Sequence, residues 1–176
     1  MGSGKSTLVR ALGLPRAPIA AEVMSETAAV FSHAGFSWLT AGHVERDKHC
    51  FRSFLQAFGA LKRALVGSDC YARLMVERTK AWSAVACDDM RTVADAETLR
   101  HAGFVLGRLE ASLPVRLRRL QMKYPTINVK QLQHPSEREL DDYHGFAFVV
   151  DADGTVTEVV ARVLAALTPL ALPSIG

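Results

Sequence analysis

The chain has 176 residues, of which 49% are hydrophobic, and it carries 21 Lys and Arg against 18 Asp and Glu. This length supports one hydrophobic core, and the mildly basic balance lacks the dense Lys/Arg runs of a nucleic-acid binder. Three cysteines without CxxC spacing favour neither a disulfide framework nor a zinc site, and no apolar run reaches the roughly 18 to 20 residues of a membrane span. We therefore expect a single cytoplasmic domain over residues 1–176, with small anionic molecules as partners and neither nucleic acid nor membrane. A homodimer is left open.

The predicted elements alternate between helices and short apolar runs. Helical spacing and capping residues predict helices over residues 5–12, 18–31, 45–65, 69–82, 94–102, 114–123, 135–143 and 154–167. Short apolar runs predict buried parallel strands over residues 83–87, 104–109 and 146–150. This alternation predicts an α/β fold built on a parallel sheet.

The opening segment, MGSGKST, matches the end of the phosphate-binding pattern G-x-x-x-x-G-K-[ST]. In such a loop, backbone amides and the start of the following helix point at phosphate oxygens. Lys5 would reach the β- and γ-phosphates of ATP, and Ser6 would ligate magnesium. The predicted cofactors are thus ATP and Mg²⁺, bound by the residues Gly2, Ser3, Gly4, Lys5, Ser6 and Thr7. The alternative is a flexible polar terminus, which the amphipathic helix directly after Lys5 disfavours.

The pattern's first glycine would fall just before Met1, and a loop of this kind follows a strand. A buried strand of about five apolar side chains contributes an amount comparable to the whole net stability of a domain, roughly 5 to 15 kcal/mol. We therefore expect the native protein to begin upstream with an apolar strand, so that the N-terminal central strand of the sheet is absent from this chain.

Two acids and an arginine follow the first predicted strand, in the segment Asp88-Asp89-Met90-Arg91. The carboxyl end of a strand is where α/β sheets place their working groups. An aspartate there, with Asp89 preferred, can hold hydrated magnesium or orient an acceptor phosphate, and Arg91 can neutralise the charge of a transferring phosphoryl group. The alternative is an ordinary strand-to-helix cap with solvated carboxylates.

Five blocks in a specific order and spacing carry a family resemblance. They are MGSGKST, Arg52 to Gly59 followed by Arg63, Asp69 to Arg73, Asp88 to Arg91 with Glu97 and Arg100, and His134 to Glu137 with Leu140 to Tyr143. With these blocks the chain resembles the phage-type deoxynucleoside monophosphate kinases of the P-loop nucleoside/nucleotide kinase group. The resemblance implies transfer of the γ-phosphate of ATP to a (deoxy)nucleoside monophosphate. It also implies a three-layer P-loop fold, whose five-stranded parallel sheet is flanked by helices.

The same resemblance assigns the remaining site residues. Residues 45–82 would form the helical monophosphate-binding region and residues 114–134 a lid over ATP. The implied acceptor-binding residues are Arg52, Gln56, Tyr71, Arg73 and Asp89. Arg116 and Arg119, three residues apart on one face of the lid helix, would close over the ATP phosphates.

The predicted mechanism is in-line phosphoryl transfer without a covalent intermediate. Its catalytic residues would be Lys5, Asp89, Arg91 and Arg119, and its metal ligands Ser6 and Asp89. Two alternatives stay open, namely a P-loop kinase for another small acceptor such as a sugar or an acid, and a truncated nucleotide-binding remnant without turnover.

Overall fold

The structure is a computed structural model that describes residues 2–123 and 139–170. In chain order its elements are α1 (Lys5–Ala11), α2 (Ala20–His33), α3 (Ala41–Arg46), α4 (Lys48–Val66), α5 (Cys70–Thr79), α6 (Val93–His101), β1 (Gly107–Glu110), α7 (Leu113–Lys123), β2 (Phe148–Asp151) and α8 (Val156–Leu167). A short 3₁₀ turn, Thr168–Leu170, follows α8. The fold is α/β and mostly helical, which confirms the predicted class in its coarse form.

Within residues 2–123 and 139–170, parallel pairing of extended chain occurs in two places. Strands β1 and β2 run parallel, with Gly107 opposite Phe148 and Glu110 opposite Asp151. Arg16 also forms a parallel bridge with Ala86, where the Ala17 amide donates to the Ala86 carbonyl at 2.9 Å and the Ala86 amide to the Pro15 carbonyl at 2.9 Å. This bridge fixes residues 15–17 beside the segment that leads to Asp88.

The strand predictions were approximately right in position, but the predicted strands were too long, and the prediction that they are buried was wrong: β1 has no buried residue and β2 has only Val150. Within the described residues, the predicted strand over 83–87 makes a single bridge, and pairing in the other two apolar runs begins at Gly107 and Phe148. The prediction missed the extended segment 15–17 altogether. Pro15 and Pro18 flank that segment, and proline cannot donate to a ladder, so it can pair only briefly.

The predicted helix over 45–65 is two helices that meet at Asp47. Asp47 has φ −101° and ψ 29°, ending α3 and beginning α4. The start of α3 is fixed by Thr40, whose side chain accepts from the His43 amide while the His43 ring accepts from the Thr40 amide. Hydrophobic spacing continues through the break, which is why the sequence predicts one helix here.

Buried residues form two clusters. The larger joins α5 and α6 to the extended segments around Ala17 and Leu106, with Tyr71, Met75 and Leu99 almost fully buried. The smaller joins α2 to α3 through Met24, Ala28, Leu39 and Val44, and it is covered by Phe51 and Leu55 of α4. The clusters hold the helices around the bridged segments that end near Asp88.

Three predictions fall wholly or partly outside the described residues. The lid prediction is described only as far as residue 123, the block His134 to Glu137 is not described, and residues 139–142 of the predicted helix 135–143 form turns. No helix within residues 2–123 or 139–170 is long and apolar enough to cross a membrane. The expected strand upstream of Met1 stays a prediction.

Candidate active site

The opening loop has the backbone of a glycine-dependent turn. Gly2 has φ +80° and Gly4 has φ +92°, values that L side chains rarely adopt, and Gly4 is the N-cap of α1. The Gly4 carbonyl accepts from the amides of Thr7 and Leu8 at 3.0 and 2.9 Å. The amides that open a helix have no intrahelical acceptor, so the loop presents donors beside the Lys5 side chain.

Lys5 is exposed, whereas its neighbour Ser3 is buried. The Lys5 ammonium lies 3.4 Å from the Ser3 hydroxyl oxygen. The Lys5 side chain is therefore accessible to a ligand, whereas the Ser3 side chain is part of the buried side of the loop.

Asp88 is the buried carboxylate next to this loop. Its side chain is 1% exposed, and the Nε–H of Arg16 donates to both of its oxygens at 2.9 and 3.0 Å. Burial alone would raise the pKa of Asp88, but hydrogen bonding from Arg16 and from the Ser6 hydroxyl outweighs burial and lowers it. An ionised carboxylate and the predicted magnesium-ligating hydroxyl thus lie together.

Asp89 has a different position from the predicted one. Its two oxygens accept from the backbone amides of Ile19 and Ala20 at 2.8 and 2.9 Å, at the start of α2. The Cys87 thiol donates to the same carboxylate at 3.4 Å, and burial together with Asp89 raises the pKa of Cys87 to about 12. Asp89 is therefore engaged as the cap of a helix, and Asp88 is the acid that contacts Ser6.

Helix α7 packs directly on the glycine loop. A Cβ atom added to Gly2 would lie 2.8 Å from the Arg116 carbonyl oxygen, so only glycine fits at this contact. Arg119 donates to the carbonyls of Ala152 and Gly154 at 2.9 and 3.1 Å, and its other terminal nitrogen lies 3.4 Å from the Ser3 carbonyl oxygen. The structure thus brings both predicted lid arginines to the loop, with Arg119 tied to backbone carbonyls.

Four of the predicted acceptor residues lie on helices α4 and α5. Arg52 and Gln56 are exposed on α4, and the exposed Arg73 pairs with Asp69 at 2.5 Å one helical turn away. Tyr71 is fully buried, with Lys62 and Arg63 over its ring at 5.0 and 5.5 Å. A base cannot stack on the Tyr71 ring in this conformation.

Arg91, the remaining predicted catalytic residue, is exposed two residues after Asp89.

A groove of about 560 Å³ is lined by other residues, namely Glu26, Ala29, Val30, His33, Phe58 and Lys62 of helices α2 and α4. None of these belongs to the loop, to the Asp88 segment or to α7. We place the candidate active site at the loop, because the phosphate-binding motif and the Ser6–Asp88 contact lie there.

Sequence reasoning missed Arg16 as a site residue. The available signal was a charged residue between apolar ones in the run Pro15-Arg16-Ala17, where Ala17 is buried next to the exposed Arg16. Its partner Asp88 lies 72 residues further along the chain, so the pair depends on a register that the sequence does not specify.

The donor set at Ser6 and Asp88 fits magnesium, which prefers hard oxygen ligands and keeps several of its waters. Among the described residues there is no cluster of three or more His, Cys, Asp and Glu that could enclose a metal ion. Any cation here would therefore share its ligand sphere with water or with substrate oxygens.

Comparison with known proteins adds no identification. No protein-family model matches the chain, and no curated protein matches it significantly.

Proposed function

We propose that this chain is an ATP- and magnesium-dependent phosphotransferase whose acceptor is a nucleoside monophosphate. The observation that carries the proposal is the position of Ser6, in the first turn of α1 directly after the positive-φ glycine loop, beside the buried Asp88. The motif at residues 1–7 and this long-range pairing are independent of each other. A phosphotransferase of this kind requires both features, namely a phosphate-binding loop and an aspartate beside the magnesium-ligating hydroxyl.

The proposed roles follow from these positions. The loop amides and Lys5 bind the β- and γ-phosphates, where the ammonium offsets charge on the transferring group. Ser6 and Asp88 hold the cation, which supplies charge neutralisation on the phosphate oxygens when it is bound. Arg116 and Arg119 shield the loop from water along one side, and Asp89 positions the start of α2.

The proposed architecture is a P-loop fold with three layers. Two separate parallel pairings, at Arg16 with Ala86 and at β1 with β2, support a larger parallel arrangement of extended segments. Helices α5 and α6 pack on the core residues of those segments, as flanking layers do. The acceptor assignment rests on the family resemblance of the sequence.

A turnover assay tests the proposal. We expect the chain, with Mg²⁺ and ATP, to release ADP only when a nucleoside or deoxynucleoside monophosphate is added. Lys5→Met should lower kcat/KM by at least about 100-fold, because it removes a preorganised charge from the transition state. Lys80→Met, which changes an exposed lysine paired with Glu77, is the matched control and should leave the rate unchanged.

The acceptor panel also decides between kinds of kinase. ADP release with a sugar or a small organic acid, but with none of the monophosphates, would show that the chain is a kinase for that other acceptor. Absence of release with every acceptor, together with no thermal stabilisation by Mg-ATP, would overturn the proposal. Nucleotide at about a hundred times its Kd should stabilise a binding-competent chain by about 2.7 kcal/mol.

A further inference from the structure

The guanidinium of Arg16 is hydrogen-bonded through Nε, and its two Nη atoms make no hydrogen bond within the described part of the chain. Its Nε–H donates to both oxygens of Asp88, and this is the only hydrogen bond that Arg16 makes within the described part of the chain. Arginine carries five donors, so the four N–H bonds of the Nη edge remain for another partner. The side chain is 39% exposed, which leaves that edge open to a ligand.

Arg16 is also held in place by its backbone. The parallel bridge to Ala86 fixes the segment 15–17, and Ala17 beside it is fully buried. A guanidinium with a fixed backbone and a fixed Nε loses little freedom when a ligand binds its Nη edge. Preorganisation of this kind is unusual for an exposed arginine.

Asp89 lies near enough to act on the charge of Arg16, and Glu45 is the carboxylate beside its Nη edge. Its Oε1 lies 3.7 Å from Arg16 Nη1, which is too long for a hydrogen bond, and its side chain is 57% exposed. An exposed ion pair of this length contributes little free energy, so an anion with two oxygens in the right geometry can displace it. Asp88, in contrast, stays engaged through Nε.

We propose that Arg16 binds the phosphate of the acceptor, with its Nη edge forming paired hydrogen bonds to two phosphate oxygens. This inference rests on the proposed function, because it places the acceptor phosphate beside the carboxylate that faces Ser6. It assigns acceptor recognition to a residue outside the predicted set, which is Arg52, Gln56, Tyr71, Arg73 and Asp89.

Steady-state kinetics of Arg16 variants provide the first test. Arg16→Lys keeps a positive charge beside Asp88 but lacks the planar fork, and we expect it to raise KM for the monophosphate about 10-fold. Arg16→Met should raise KM about 100-fold, equivalent to the loss of one or two charge-assisted hydrogen bonds. KM for ATP should change less than about threefold in both. Glu45→Gln should lower the monophosphate KM, since it removes a competing carboxylate.

A binding measurement separates ligand contact from a structural role. In ¹⁵N-labelled protein, titration with inorganic phosphate should shift the side-chain resonances of Arg16, identified by their loss in Arg16→Lys. The matched control is Arg46→Met. Arg46 directly follows Glu45, is exposed and pairs with Asp47, so its replacement should leave the KM for the monophosphate and the phosphate-induced shifts unchanged.

The outcomes distinguish this inference from the proposed function. Monophosphate-dependent turnover with an unchanged KM in Arg16→Lys and Arg16→Met, or phosphate titration without a shift at Arg16, would overturn the role of Arg16 and leave the kinase proposal standing. Equal increases in KM for ATP and for the monophosphate would also overturn it. Turnover only with acceptors that lack a phosphate would overturn both the acceptor class and this role.

Discussion

At the scale of single residues, the neighbouring aspartates Asp88 and Asp89 have different partners and therefore different roles. Asp88 is buried against Arg16 and Ser6, and Asp89 accepts from two backbone amides that open α2. Asp88→Asn replaces a charge-assisted hydrogen bond between the partly exposed Arg16 and a buried carboxylate by a weaker neutral one, which costs about 1 kcal/mol. We therefore expect Asp88→Asn to lower the free energy of unfolding at pH 7, as measured by urea denaturation.

The effect of Asp88 should depend on pH in a defined direction. Because its pKa in the folded chain is lowered, its stabilising contribution is complete above the unfolded-state pKa of about 3.9 and is lost as the pH falls through the folded pKa. The difference in unfolding free energy between wild type and Asp88→Asn should therefore shrink on acidification. A difference that grows towards low pH would contradict the assigned contacts.

Gly2 combines a positive φ with a close backbone contact. Gly2→Ala would place a Cβ 2.8 Å from the Arg116 carbonyl oxygen, in addition to a cost of about 1 to 2 kcal/mol for a left-handed alanine. Gly103→Ala is the matched control, because Gly103 has φ +86° and no atom within 4 Å of its added Cβ. We expect hydrogen exchange to accelerate at the amides of residues 3–7 in Gly2→Ala only, with a weaker response to Mg-ATP. Equal protection in both variants would show that α7 does not hold the loop.

At the scale of elements, local signals explain the helix ends better than the strand ends. Helix α8 begins with a reciprocal cap, in which the Glu158 amide donates to the Thr155 hydroxyl and the Glu158 carboxylate accepts from the Thr155 amide. The predicted helix began at Gly154, two residues early. Asp47 shows the limit of such reasoning, since hydrophobic spacing crosses a break that only the backbone geometry reveals.

The cap of α8 has a measurable free energy. Thr155→Ala removes the hydroxyl that accepts from the Glu158 amide, and we expect it to lower the unfolding free energy by about 1 kcal/mol. Thr157→Ala, two residues on in the same helix and exposed, should change it by less than about 0.5 kcal/mol. Equal effects of the two substitutions, measured by urea denaturation, would contradict the cap.

Strand extent depends on partners that lie far away in the chain. The apolar runs at 83–87, 104–109 and 146–150 gave the approximate positions, because β-branched and aromatic residues are enriched in strands. Which residues pair depends on register, and Gly107 pairs with Phe148 across 41 positions of the chain. Periodicity contains no information about that register.

At the scale of the whole molecule, the candidate site joins parts of the chain that are distant in sequence. The loop and its glycines were predictable from a local motif, and so was an acid at the end of the 83–87 segment. The pairing of Arg16 with Asp88, the choice of Asp88 over Asp89 beside Ser6, and the covering of Tyr71 by Lys62 and Arg63 were not. Each of these depends on how separate segments pack, which one sequence specifies only through the complete fold.

The most direct test of the central claim follows the transferred phosphoryl group itself. The chain is incubated with Mg²⁺, ATP labelled at the γ-phosphate and a nucleoside monophosphate, and the products are separated by chromatography. We predict that the label appears in the nucleoside diphosphate, that Lys5→Met reduces this transfer by at least about 100-fold, and that Lys80→Met does not. Label that remains in ATP with every monophosphate, or that appears only as inorganic phosphate, would contradict the account.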